Sequence, residues 1–280
     1  MRILVTGGSG YLGTHMLPFL AADDFSRRSG LDIRDEEAVK AVADYDAVVH
    51  LAAHFDKDHS GAQECYRTNA EGTANVIRNM RSGSAFVYAS TKDVYGSHAD
   101  GFEYVDETTS TDYCGQSPFE WSKLIGEKYV EYYARKQEIR ACIFRLSTVF
   151  ARPSEDNTPG IITHLVESIK RRTPIRLPAG VDPVRDILHV DDFFKACQLF
   201  LQSKVEFGLY NLGGGKLNEI SLRDLIKRVS GMIKIEPVIQ EDPALPAPVP
   251  LRYVSDITRA GEELGWKPTI GLEGGLRALL

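Results

Sequence analysis

A short run without proline, Arg2 to Thr6 (RILVT), passes directly into Gly7-Gly8-Ser9-Gly10-Tyr11-Leu12-Gly13, and the residues from Thr14 to Leu20 read as a helix. Few arrangements accept glycines at that spacing between a strand and a helix. At Gly7 the turn asks for a backbone angle that other residues resist, Gly10 leaves room for a phosphate, and Gly13 lets helix and strand pack closely. The free N–H groups at the helix start would face a pyrophosphate. The same pattern also occurs in tight turns that bind nothing; its place directly after the first strand is what points to a dinucleotide. Tyr11 and Leu12 join Gly7, Gly10 and Gly13 as expected cofactor contacts.

A chain of 280 residues can bury a substantial core as one large domain or two unequal ones. Its net charge of -6 argues against a nucleic-acid surface, which would carry a basic face. No apolar run approaches the roughly 18 to 20 residues of a spanning helix, so no membrane association is expected. Met1 leads straight into the first strand without an apolar leader, and the expected location is the cytoplasm. Cys65, Cys114, Cys142 and Cys197 lack C-x-x-C spacing, and His50, His54, His59 and His189 lack metal spacing. Neither a metal site nor a disulfide framework is expected, and only Cys114 falls near the residues assigned below to the site.

Taken in order, the chain alternates strands and helices. A short second strand is expected over Asp24 to Arg28, where such folds read the adenosine ribose: a carboxylate suits NAD, an arginine the extra phosphate of NADP. Arg27 and Arg28 lean towards NADP; surface charge is the plain alternative. Leu31-Asp32-Ile33 precedes a helix over Glu36 to Ala43, and Ala47 to Ala53 (AVVHLAA) is an unbroken apolar strand of the kind buried in a parallel sheet. A helix over Asn69 to Met80, a strand over Ala85 to Ser90, a turn over Thr91 to Gly96, a long loop from Gly101, a helix from Pro118 to Lys136 and a further strand over Arg140 to Phe150 follow. This alternation implies an α/β fold: a Rossmann-like doubly wound parallel sheet over residues 1–150, with its crevice at the strands' C-terminal ends.

Beyond Ala151, Pro153, Pro159, Pro174, Pro178 and Pro183 break the chain into short pieces around a helix, Gly160 to Arg172. Helices over Asp191 to Gln202 and Ser221 to Val229, a strand over Leu209 to Leu212, a Pro-rich connector over Asp242 to Pro250 and short helices at Ile257 to Leu264 and Leu272 to Leu280 complete it. Residues 151–280 read as a smaller mixed α/β substrate lobe, with chain segments crossing between it and the larger part.

The residues that carry a resemblance now stand in order: T-G-G-S-G-Y-L-G at 6–13, L-D-I-R-D at 31–35, H-L-A-A at 50–53, N-A-E-G-T-A-N-V at 69–76, Y-A-S-T-K-D-V-Y-G at 88–96, S-K-L-I-G-E at 122–127, V-R-D-I-L-H-V-D-D at 184–192, Y-N-L-G-G-G at 210–215 and L-G-W-K-P at 264–268. Nearly the whole chain resembles the extended short-chain dehydrogenase/reductase family, in its nucleoside-diphosphate-sugar epimerase and dehydratase branch. That resemblance implies that Asp32 and Ile33 touch the adenine and that Leu51, Ala52 and Ala53 line the pyrophosphate and nicotinamide ribose. It further implies a homodimer built on the helices at 69–80 and 118–136.

Moving hydride between a sugar carbon and a nicotinamide needs a base for the hydroxyl proton and a donor that holds the oxygen. The family uses Ser or Thr, Tyr, and a Lys one helical turn after the Tyr, whose charge favours the phenolate. Thr91 matches the hydroxyl and Lys123 the lysine, but Phe119 stands where the tyrosine belongs, with no ionisable oxygen. Three explanations are open: a substitution made to trap a complex, a natural member that uses another group such as Tyr113 or Asp93, or a chain that binds cofactor without turnover.

By the same resemblance an acid at the position of Asp93 helps move protons at the sugar ring in dehydratase and decarboxylase members. Lys92 replaces a second acid found in dehydratases, which disfavours dehydration; it could hold a substrate carboxylate or phosphate, and a solvated turn pair is the plain alternative for both residues. Arg185 resembles the arginine that meets the nucleotide diphosphate, against a structural pairing with Asp186 or Asp191. Thr148 takes the place of a frequent substrate-binding Asn, and the usual second phosphate-binding arginine is missing from 242–250, although Arg252 lies close. The expected activity is that of an NAD- or NADP-dependent nucleotide-sugar epimerase, which oxidises the sugar to a ketone and returns hydride to the other face. A reductase or dehydratase and a cofactor-binding regulatory protein are the rivals.

Overall fold

In the computed structural model, residues 1–153 and 160–280 are described, and Pro159 lies outside them. The chain opens with β1 (Ile3–Thr6), α1 (Gly13–Leu20) and β2 (Asp23–Phe25), continues through β3 (Ala47–His50), α2 (Ala62–Cys65) and α3 (Thr73–Arg78), and reaches β4 (Ala85–Thr91), α4 (Pro118–Gln137) and β5 (Arg140–Leu146). Then come β6 (Thr148–Phe150), α5 (Ile161–Arg171), β7 (Ile175–Pro178), β8 (Val184–His189), α6 (Val190–Gln202) and β9 (Phe207–Leu212). The last elements are β10 (Glu219–Ser221), α7 (Leu222–Ile233), β11 (Ile239–Asp242), β12 (Arg252–Tyr253), α8 (Thr258–Leu264) and α9 (Leu272–Leu279).

Six strands form one parallel sheet in the order β2-β1-β3-β4-β5-β9. Successive residues of its strands point to opposite faces, and both faces are dry. Val5, Val49, Val87 and Phe144 pack with Phe193, Phe200 and Trp266 on one side; Leu4, Val48, Phe86 and Ile143 pack with Val76, Val130 and Ala134 on the other. Burial on both faces is what removes hydrophobic alternation from these strands and leaves continuous apolar runs. From β1 the chain turns outward to β2 and then returns to β3 on the other flank, so the strand order reverses between β1 and β3. That reversal opens a crevice at the C-terminal ends of both strands.

A third apolar cluster, including Phe150, Leu165, Ile175, Ile187, Leu225 and Leu276, holds the smaller lobe together. In it β10-β8-β12 form a sheet joined by β6, while β7 and β11 pair separately. The stretch 140–150 is two strands where one is expected. At Ser147 the chain leaves the large sheet: the Ser147 hydroxyl donates to the Asp186 carboxylate at 2.6 Å, and β6 then pairs with β8. The sixth strand of the large sheet is instead β9, reached after the chain has crossed into the small lobe and come back.

Other differences are local. The second strand stops at Phe25, because Ser26 caps a 3₁₀ turn at Arg27–Ser29; its N–H donates to Ser29 Oγ at 3.0 Å. The third strand stops at His50, three residues before the apolar run ends, and the helix expected at Glu36 to Ala43 is a 3₁₀ helix at Ala38–Asp44. The helix expected from Asn69 begins earlier, at Ala62, and widens to π geometry over Tyr66–Gly72. Within that wider turn the fully buried Asn69 side chain accepts from the His54 N–H at 2.7 Å and donates to the His54 carbonyl at 2.8 Å. One polar side chain thereby fixes the loop after β3, which would otherwise bury unpaired backbone groups.

Candidate functional site

Gly7 follows β1 with φ +72°, and a β-carbon there would lie 2.7 Å from the Ala52 backbone. The turns after β1 and β3 are therefore in backbone contact, which only glycine permits at this point. Gly13 seals the other side, since a β-carbon on it would fall 2.2 Å from the Gly7 carbonyl oxygen. Gly10, by contrast, has a single neighbour within 4 Å on its open side, the Gly7 carbonyl, and borders a cleft of about 300 Å³. This cradle fits a dinucleotide. Gly7 and Gly10 form its floor, Leu51, Ala52 and Ala53 one wall, and Arg27, Arg28, Asp32 and Ile33 its far end.

Arg34 also lines this cleft. It donates to Asp32 at 2.9 Å and pairs with Glu64, and its hydrogen bonds hold the Asp32 carboxyl below the usual carboxylate range. The Tyr11 and Leu12 side chains and Gly13 do not border the cleft. The Tyr11 hydroxyl accepts the Ala151 N–H at 2.7 Å and lies 3.0 Å from Thr163 Oγ1, so this side chain joins the glycine turn to the small lobe. Leu12 packs against the core.

The residues expected at the reacting centre leave the end of β4 and the first turns of α4. Thr91 is the last residue of β4, and its hydroxyl accepts the Asp93 N–H at 3.1 Å. Phe119 and Lys123 are four residues apart and both buried, on one face of α4. The Phe119 ring lies 4.7 Å from that of Phe55. Lys123 Nζ donates to the Ala89 carbonyl at 2.8 Å; burial pulls this ammonium down to about 8, with Glu127 opposing. Tyr113, a candidate substitute for the missing phenol, is 70% exposed and stacks on Trp121 away from the cleft lining. Cys114 donates from Sγ to the Tyr95 carbonyl.

A second cleft, of about 830 Å³, opens into the small lobe, and Lys92, Asp93, Thr148 and Arg185 all line it, whereas Thr91, Phe119 and Lys123 border neither cleft. Its deeper walls are apolar, built by Ile162, Leu165, Ile175, Leu177, Leu225 and Pro246. Ala53 and His54 border the first cleft and Lys57 the second, so one loop after β3 connects the two. Arg185 does not pair with Asp186 or Asp191. Its guanidinium donates to the carbonyls of Val184 and Pro250 at 2.7 Å and of Leu251 at 3.0 Å, and burial lowers its pKa. Asp186 turns inward and accepts from Ser147 and from the Ser255 and Gly215 N–H groups. Arg252 is tied to Glu219 at 2.6 Å and does not line the cleft.

Two residues that sequence reasoning passed over belong to this wall. Lys57 Nζ lies 2.7 Å from Glu120 Oε1 and 3.2 Å from Asp93 Oδ2, and Asp93 also pairs with Lys92. Burial works against the Asp93 charge, but Lys92 and Lys57 outweigh it and hold the carboxyl well below the usual range. Burial likewise pulls the Lys92 ammonium below the ordinary lysine value, against the attraction of Asp93. Glu120 is the acid of the helix cap at Ser117, so its place next to Phe119 reads as capping until Lys57 is seen beside it. Among the described residues no group of His, Cys, Asp and Glu could hold a metal ion, and no helix is long and apolar enough to cross a membrane.

This fold and these clefts define a class, and comparison with known proteins agrees. The chain belongs to the NAD dependent epimerase/dehydratase family, whose model it matches over residues 3–213. It is 29% identical to a putative UDP-glucose 4-epimerase of Methanocaldococcus jannaschii, over 99% of this chain and 97% of that one. It is 26% identical to the GDP-6-deoxy-D-mannose reductase of Pseudomonas aeruginosa, over 100% and 96%. Among solved structures, MoeE5 in complex with UDP-glucose and NAD superposes with a TM-score of 0.84 at 23% identity, covering 100% of this chain and 97% of that one.

Proposed function

We propose that this chain is an NAD(P)-dependent epimerase of nucleoside-diphosphate sugars. The observation that supports the reading is that one loop after β3 borders two clefts: a glycine cradle lined by Gly7, Gly10, Ala53 and His54, and a larger cleft lined by Lys57, Lys92, Asp93, Thr148 and Arg185. A bound dinucleotide would supply the hydride acceptor and donor. Lys123 would hold its nicotinamide ribose, Thr91 the sugar oxygen, and Arg185 would offer charge to the diphosphate. Names borne by relatives support both the epimerase reading and a reductase alternative. Arg27 and Arg28 at the adenosine end favour NADP over NAD.

The chain acts as a homodimer through α4 and the helical run at 62–78, and works in the cytoplasm, in keeping with four free cysteines. Screening nucleotide sugars by mass spectrometry and NMR tests the activity. Interconversion of two epimers without consumption of reduced cofactor is expected; stoichiometric oxidation of NADPH by a keto-sugar would make it a reductase. Turnover that appears only in Phe119→Tyr would make the present chain a silent form.

A further inference from the structure

Resting on that reading, the missing phenol leaves a definite gap: some group must take the hydroxyl proton as hydride departs and return it afterwards. Lys92, Asp93, Lys57 and Glu120 line the cleft in a connected row of alternating charge. Side-chain exposure rises from 7% at Lys92 through 17% at Asp93 to 44% at Lys57, and falls back to 4% at Glu120. Lys57 is thus the point at which the row meets water. Lys92 directly follows Thr91, the residue placed at the sugar oxygen, and its ammonium lies 5.4 Å from the centre of the Tyr253 ring.

We propose that Lys92 replaces the absent tyrosine as the proton acceptor and donor, that Asp93 positions it, and that Lys57, anchored by the buried Glu120, connects the row to solvent. In the first half the sugar C–H and O–H bonds would break, a bound oxidised dinucleotide would accept the hydride, and the Lys92 amine takes the proton. In the second half the ketone receives hydride on its other face and its oxygen takes the proton back from the Lys92 ammonium. Protons and electrons balance over the cycle. Burial first, and then the neighbouring cations Arg185 and Lys57, shift Lys92 towards the amine, against Asp93, which favours the ammonium. Asp93 itself is a poor base, held ionised between two lysines.

Two measurements test this on the full chain. In the first, lysines carrying isotope-labelled methyl groups are titrated by NMR, with the Lys92 signal identified by its loss in Lys92→Arg. Lys92 should titrate below the exposed lysines and move upward in Lys57→Met; titration together with the exposed lysines in both proteins overturns the proposal. In the second, the chain loaded with NADP, and in parallel with NAD, is given UDP-glucose, with other nucleotide sugars as further probes. Lys92→Met should lower kcat by about a hundredfold or more with little change in KM. Adding Phe119→Tyr to that variant should restore at least about a tenfold share of the loss, because a phenol then supplies the proton. A loss that the phenol does not restore marks a structural role and overturns the proposal, while the epimerase reading stands. Absence of turnover with every nucleotide sugar in the unsubstituted chain overturns both.

Discussion

The Tyr11 hydroxyl accepts the Ala151 N–H at 2.7 Å, across the seam between the glycine turn and the small lobe. The same oxygen lies 3.0 Å from the Ala151 carbonyl and from Thr163 Oγ1. Tyr11→Phe leaves the Ala151 N–H without that partner, at a cost of about 1–3 kcal/mol. Denaturant unfolding should show the loss, and an unchanged midpoint would mean that this seam is held by other contacts.

Gly7 combines a positive φ with backbone contact, so Gly7→Ala should abolish dinucleotide binding and destabilise the fold by more than about 1 kcal/mol. Gly30 provides the control: its φ is +81°, but no atom lies within 4 Å of a β-carbon placed there. Gly30→Ala should therefore show conformational strain alone and retain binding in a fluorescence titration. Equal loss of binding in both variants would assign the effect to strain and not to the cradle.

Arg27 tests the choice of cofactor. If its guanidinium meets the ribose phosphate, Arg27→Ala should weaken NADP by about ten- to a hundredfold. NAD affinity should stay within about twofold, and calorimetry of the two titrations separates the outcomes. Parallel weakening of both dinucleotides would count against the assignment.

His50 is fully buried between Thr6 Oγ1 at 2.7 Å and Thr73 Oγ1 at 3.0 Å, and burial together with Lys123 holds it neutral, its pKa lowered to about 3. The unfolded chain takes up a proton near pH 6.5, which the folded chain refuses until about pH 3. Between those values the unfolded state binds more protons, so stability falls as the pH falls through this window. His50→Gln should flatten that part of the stability profile. An unaltered slope would show that His50 does not set the acid sensitivity in this window.

Much of this was legible in the chain itself. Strand–turn–helix spacing around Gly7, the apolar run at 47–50 and the separation of Phe119 from Lys123 are local patterns, written in neighbouring residues and obeying backbone periodicity. The end of each strand was less legible. The apolar run continues through Ala53, yet pairing stops at His50, because the close approach of Gly7 to Ala52 and the Asn69 side chain decide where the loop turns.

What the residue order determined, then, was a parallel α/β sheet, a glycine turn after its first strand, and a phenylalanine four residues before Lys123 where the family resemblance expects a tyrosine. Tertiary structure alone decided that β9 returns to complete the sheet, that Tyr11 faces the small lobe, and that Lys57 reaches Asp93 and Glu120. The physical reason is one of range. Hydrogen-bonding periodicity and turn chemistry act between residues a few positions apart, whereas an ion pair along a cleft wall depends on where distant loops are brought together by the burial of the core between them.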